Sequence, residues 1–383
     1  MKISLDFNEV NEVLGYVSTI LGDKSVDEKI KNVIFLVEGE KVTMIGYNQF
    51  TFSRTVLENA VCTDIPESGW DFQIKSSELI KILTSYSNLF KTRVDTIDIE
   101  DSGVRTKIVV HEVPLDEVND SRLAQDSVFE VENAPILSKI LKDIKSEFPK
   151  NVETVPSEDL LLYISSLLPL MDNNSNNSIS SKLNFGDDYV FTMSSSSSAF
   201  FENRLPEQFK GITLGYSSVN FIKRLCTDTD FISVARDSHY ICIESNNTQA
   251  FMRFKPIKIN YQAYIKRKSK EKGIVVDRLY MKDVLRRMGN MSLDGKMSVE
   301  DVNTLMVMND NFQQEVPIER CKENTEGIKF KISIPIMSSL ILGSDEVFTD
   351  NLFIYFVETA RSYIVYIQDK SGVWFSSTQA SKI

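Results

Sequence analysis

The sequence is poor in the residues that local chemistry requires. It has two histidines and four cysteines in 383 residues. Cys62, Cys226, Cys242 and Cys321 lie far apart, with no CxxC spacing and no clustered histidines. That excludes a disulfide framework and a zinc site, and it fits reduced thiols in a cytoplasmic protein. His111 and His239 stand in strand-like runs without ligands at useful spacing, so each reads as a structural or surface histidine. No GxxxxGK[ST] loop, HExxH or GxSxG occurs. The acidic pairs Asp187–Asp188 and Asp345–Glu346 sit in turns. No catalytic residue, metal or cofactor is expected, and a hydrolase is the weakest of the competing classes. No apolar run approaches the ~20 residues that cross a bilayer, so no membrane association is expected. MKISLDFNEV, at the N-terminus, alternates and then turns acidic, unlike a signal peptide. Basic charge is not in excess either: the net charge is −11. This argues against a protein that coats nucleic acid, yet leaves room for a local basic surface.

What is present is repetition. The 42% hydrophobic and 25% charged content is that of a globular chain, and the length suits two or three domains. Lys2–Asp6 reads as a strand, and Val10, Val13, Leu14, Val17 and Leu21 then recur at helical spacing. The same strand-then-helix pattern returns from Asp71, Val128, Ile212, Ile274 and Phe330. Asn8, Ser76, Asn133 and Ser217 stand where an N-cap would accept a free backbone N–H. Alternating segments follow each helix and read as antiparallel strands. Each repeat is therefore β-α-β-β-β. One such repeat cannot cover both its helix and its sheet, so six should pair into three domains. The expected class is α+β, with domains over 1–124, 125–257 and 258–383. Two stretches break the rhythm: the polar run 172–178, and the apolar, helical 159–170 before it, which reads as an insertion.

Three domains of paired β-α-β-β-β repeats resemble the bacterial β sliding clamp, a DNA polymerase processivity factor. VSTILGDK (Val17–Lys24), NVIFLVEGEKVTMIGYN (Asn32–Asn48), VFTMSSSSSAFFENRLP (Val190–Pro206) and YQAYIKR (Tyr261–Arg267) carry the resemblance, which extends over nearly the whole chain. It implies the DNA-clamp fold, with helices lining a ring of six domains and sheets outside. The implied role is to encircle duplex DNA without sequence preference and to tether polymerase. Polymerase and clamp loader would dock through short linear motifs. The implied assembly is a homodimer in the cytoplasm, at the nucleoid or replication site, or in the host cytoplasm if virus-encoded. Two alternatives stay open: a clamp-fold ring acting as a transcription coactivator or scaffold, and a repeated-domain interaction protein that binds no DNA.

Basic residues on the helices support a DNA-facing surface. In the third helix Ile136, Leu137, Ile140, Leu141 and Ile144 form the apolar face, and Lys139, Lys142 and Lys145 repeat on the other. Lys81, Lys223, Arg224, Lys282 and Arg286 stand on further helices. Lys24 matches a basic DNA-contacting position of the family. A second reading is that these side chains only solvate helix faces. For the partner-peptide pocket the resemblance implies Ser195, Ser198, Ala199, Phe200, Gln262, Tyr264, Arg267, Phe375 and Ile383. Gln262 and Arg267 depart from the family's apolar residues, which suggests a polar or acidic partner motif. Phe200 and Phe375 have a second reading as core residues. For the dimer interface the resemblance implies Ile108 and Val110, on an otherwise open apolar strand edge, against Met288 and Met291.

Overall fold

The computed structural model describes residues 1–21, 31–48, 50–86, 89, 92–101, 105–115, 125–132, 136–171, 182–194, 197–262, 272–342, 350–370 and 374–383. They form two compact units, one of residues 1–156 and 220–253, the other of 157–219 and 254–383.

The first unit holds two antiparallel sheets. One runs β5 (Val61–Thr63), β1 (Lys2–Asp6), β7 (Thr92–Asp101), β8 (Arg105–Pro114), β9 (Gln125–Glu132). The other runs β10 (Val152–Pro156), β15 (Phe231–Arg236), β16 (Tyr240–Ser245), β17 (Thr248–Arg253), β4 (Thr51–Leu57), β3 (Lys41–Tyr47), β2 (Asn32–Glu38), β6 (Trp70–Lys75). Alternation gives this sheet two buried faces. Val33, Phe35, Val37, Val42 and Met44 join Val10, Val13, Leu14 and Val17 of α1 (Phe7–Leu21), together with Leu79 and Leu83 of α2 (Ser76–Thr84). Gly46 lets α1 press onto β3, because a Cβ there would lie 2.6 Å from Val17. Ile34, Leu36, Ile45, Tyr47 and Phe52 point the other way, onto Ile140 and Ile144 of α3 (Ser138–Ile144). α1 and α3 thus cover opposite faces of one sheet. The cap of α1 is Asp6 rather than Asn8, its carboxylate accepting the Glu9 N–H at 2.8 Å.

The second unit holds a single sheet. It runs β18 (Lys255–Pro256), β14 (Ile212–Gly215), β11 (Lys182–Phe185), β12 (Tyr189–Met193), β13 (Ser197–Glu202), β26 (Trp374–Lys382), then β23 (Lys329–Ser333), β20 (Asp294–Val299), β21 (Thr304–Met308), β22 (Gln313–Cys321), β19 (Gly273–Asp277), β24 (Asn351–Glu358), β25 (Ser362–Gln368). β25 also pairs with β26, so the strands from β26 to β25 close on themselves. Among the described residues, the remaining α-helices are α4 (Ser157–Leu167), α5 (Tyr216–Thr227), α6 (Arg278–Gly289) and α7 (Ile334–Leu342).

Strand pairing identifies the repeats. β1 pairs with β7, β10 with β15 and β19 with β24; likewise β6 pairs with β2, β14 with β11 and β23 with β20. Each strand that leads into a helix occurs once in this pattern, and each pairs with the first strand after the helix of its partner repeat. The six repeats are β1-α1-β2-β3-β4, β6-α2-β7-β8-β9, β10-α4-β11-β12-β13, β14-α5-β15-β16-β17, β19-α6-β20-β21-β22 and β23-α7-β24-β25-β26. This corrects two sequence expectations. The segment from Val128 does not open the third repeat: β9 pairs with β8 and ends the second. The third repeat's helix is α4, the stretch expected to be an insertion, and α3 is the extra element.

Candidate functional sites

The expected DNA-facing cations fall into two groups. Lys81 on α2 is exposed, and neither it nor the half-buried Lys223 on α5 makes an ion pair among the described residues. Arg224 lies 5.6 Å from the Tyr16 ring centre, and its Nε is 3.7 Å from Asp228. Tyr16 donates its hydroxyl to Asp228 at 2.8 Å. Burial and that bond push the Tyr16 pKa up to about 12. These contacts set α5 beside α1, whose exposed face carries Asn8, Asn11 and Glu12 and no cation. In the second unit Arg286 pairs with Asp283 at 3.0 Å, Arg287 donates to the Asp283 carbonyl, and Lys282 is half-buried.

Lys139, Lys142 and Lys145 form the other group. Lys139 and Lys142 ride on α3 and Lys145 directly follows it, so they lie across the sheet from α1, not beside it. Lys145 is also held within the fold, 2.9 Å from Asp71 and 3.7 Å from Glu38. The hydrogen bond to Asp71 raises its pKa. The expectation that one basic surface carries α3 together with the repeat helices is therefore corrected. The apolar period of α3 is genuine, but it buries against the opposite face of the sheet. Lys24 lies outside the described residues.

Two seams join strands from distant repeats. At the first, β4 pairs with β17, and Phe52 opposes and stacks on Phe251 at 4.6 Å and 9°. At the second, β13 pairs with β26, and Phe200 opposes and stacks on Phe375 at 4.8 Å and 11°. A tyrosine meets each pair edge-on: Tyr240 at 5.9 Å from Phe52, and Tyr189 at 6.2 Å from Phe200. Phe200 and Phe375 are 1% exposed, so their first role is to hold this seam.

Beside the second pair opens a cavity of about 300 Å³. Its apolar floor is Phe200, Phe375, Ile364 and Tyr366, and its rim is hydroxyl-rich. Two turns of one design form that rim. The Ser194 hydroxyl accepts the Ser197 N–H at 2.9 Å, and the Thr359 hydroxyl accepts the Ser362 N–H at 3.0 Å. Ser198 and Ser377 share a hydrogen bond of 2.8 Å across the seam. Among the described residues, no charged side chain lines the cavity. Of the expected pocket residues, Ser198, Phe200 and Phe375 meet here. Ala199 is buried but outside the lining, Gln262 instead donates to Asp188 at 3.0 Å, and Ile383 is 62% exposed elsewhere. Ser195, Tyr264 and Arg267 lie outside the described residues.

The expected interface edge is not open. Ile108 and Val110 are 0% exposed, packed in the core with α1, and β8 has β7 on one side and β9 on the other. Met288 is buried and Met291 is exposed. The outer face of this sheet carries a charge ladder that the sequence did not reveal. Lys2 lies 2.6 Å from Asp98, and His111 bridges Asp98 at 2.9 Å and Asp126 at 2.7 Å. Burial disfavours the His111 proton, but the two carboxylates outweigh it and raise the pKa. The residues of this ladder come from four strands, and only the register shows them as neighbours. The four cysteines are free thiols. Burial pushes Cys242 up to about 12, which leaves it unreactive.

No family model matches the sequence, and no curated protein matches it. Solved structures do. The DNA polymerase III beta subunit of Thermotoga maritima is 13% identical, with a TM-score of 0.73, over 100% of this chain and 99% of its own. Caulobacter crescentus pol III beta is 13% identical with a TM-score of 0.74, and a ligand-bound DNA polymerase sliding clamp from Pseudomonas aeruginosa is 12% identical at 0.73; both match over 100% of each chain. The six repeats, their pairing and this full-length likeness give the chain the DNA-clamp fold.

Proposed function

We propose that this protein is a DNA sliding clamp: a ring that encircles duplex DNA, tethers DNA polymerase and has no catalysis of its own. The full-length likeness to structures described as sliding clamps carries this reading. In it the α1, α2 and α5 side faces the duplex. Its sparse cations suit loose, sequence-independent and salt-sensitive contact with phosphate. The pairing pattern supports three domains, divided after β9 and after β18. Both seams join the last strand of one repeat to the last strand of the repeat three further on: first to fourth, and third to sixth. Counting on around six, the fifth repeat needs the second. Among the described residues, β22 has only β21 beside Gln313–Pro317, and β9 has only β8 in its sheet. A second copy would supply both partners, in a head-to-tail homodimer in the cytoplasm. This moves the interface from Ile108 and Val110 to β9 and β22. The cavity at the second seam, with its apolar floor, is the place for an apolar anchor from a polymerase or loader motif. The test is loading onto DNA: a clamp stays on closed circular DNA and runs off the same DNA once linearised. Equal loss from both forms would end the proposal.

A further inference from the structure

α3 belongs to none of the six repeats, yet it is fastened more elaborately than a linker requires. Its Ile140 and Ile144 reach across the first seam, packing on Ile34, Leu36, Ile45 and Phe52 on one side and on Ala235, Cys242 and Phe251 on the other. Phe148, just beyond the helix, meets Phe251 edge-on at 6.0 Å. Polar ties then fix the helix end to strands on both sides. Arg54, on β4, donates from one nitrogen to the carbonyls of Ile144 at 3.3 Å and Ser146 at 2.7 Å. These lie at the helix C-terminus, where carbonyls lack partners and a cation is favoured. The same guanidinium donates to Gln249 across the seam at 2.6 Å and lies 4.8 Å from the Phe251 ring centre. Lys145 reaches Asp71 and Glu38, on β6 and β2. Arg253, on β17, reaches Asp143 at 3.7 Å.

We infer that α3 is a strap that locks the β4–β17 seam, with Arg54 as the buckle joining helix end, seam and opposite strand. The inference holds whether or not the chain encircles DNA. A strap of this kind adds local stability, so removing it raises the opening rate of the seam it crosses and no other. Amide hydrogen exchange on the full chain reads this directly, with β13 and β26 as the internal control. Arg54→Lys keeps the charge but loses the fork. It should speed exchange at β4 and β17 about tenfold, the scale of a missing hydrogen bond to a charged group, and leave β13 and β26 unchanged. Ile144→Asp should do the same more strongly, and Arg54→Lys stands alone if that variant does not fold. Faster exchange in α3 with an unchanged β4–β17 seam would overturn the strap, as would equal loosening of both seams or no change anywhere in Arg54→Lys.

Discussion

The two seams make an instructive pair. Both join last strands of repeats, and both carry a stacked phenylalanine pair with a tyrosine against its edge. They differ in what surrounds the pair. At the first seam α3 and Phe148 pack over it, with Arg54 filling the position beside it. At the second, the corresponding face meets Ile257, Ile259 and Tyr261 and keeps an open, hydroxyl-rimmed cavity. One repeated joint is thus covered by a helix in one place and lies beside an open cavity in the other. The change lies in the residues around the aromatic pair, not in the pair itself.

The largest expected effect is on stability. Phe52→Ala should cost about 3–5 kcal/mol, the range for deleting a buried phenylalanine where the site cannot collapse. Phe200→Ala should cost about 1 kcal/mol less, because the cavity beside it already admits water to the vacated space. Urea unfolding of both variants measures the difference. Equal costs would mean that the cavity does not relax the second seam.

Binding comes next. Ser198→Trp should fill the cavity and weaken peptides from the cognate polymerase's C-terminus by about 2 kcal/mol or more, the scale of a missing anchor. Calorimetry with the same peptides on Lys139→Ala, a change near the first seam, should show no loss. A peptide that binds Ser198→Trp as tightly as the parent docks elsewhere.

The smallest effect concerns pH, and it should leave both seams untouched. The first is tied through Arg54, Lys145 and Arg253, and among the described residues no charged side chain lines the cavity at the second. His111 is different, with an ordinary value of about 6.5. Its pKa in the fold is raised, so the stability it lends the β9 edge is fully present below its unfolded value of about 6.5. That contribution is lost as pH rises through the raised value. Hydrogen exchange at β9, corrected for its intrinsic pH dependence, should quicken relative to both seams as pH rises above about 6.5. In His111→Gln this trend should be absent. A trend that persists there would assign the effect to another group.

Much of the fold was legible because its signals are local. A strand followed by a 3.6-period apolar helix is readable at five of the six repeats, and so is the alternation behind each of them. Choosing between α3 and α4 was not possible from the pattern. Both are short apolar helices after a strand, and the sequence of α3 carries lysines at the spacing expected of a DNA-facing helix. Only pairing separates them: β10 meets β15 as β1 meets β7, whereas β9 completes β8. The site was legible in part for the same reason. Ser198, Phe200 and Phe375 fall together through the cross-strand register, which the resemblance supplied. The rim residues Thr359 and Ser362 come from a turn far away in sequence and carry no signal of their own. The charge ladder through His111 is likewise a product of register.

The central claim is that the repeat helices, and not α3, face the duplex, and salt dependence tests it most directly. Binding to duplex DNA can be followed from low to physiological salt for two variants. One combines Lys81→Ala, Lys223→Ala and Arg286→Ala; the other combines Lys139→Ala and Lys142→Ala. Each phosphate that is no longer neutralised flattens the log–log slope by about 0.9. The account predicts a flatter slope and weaker binding for the first variant, and a slope equal to the parent's for the second. A flatter slope in the α3 variant, with none in the other, would contradict it.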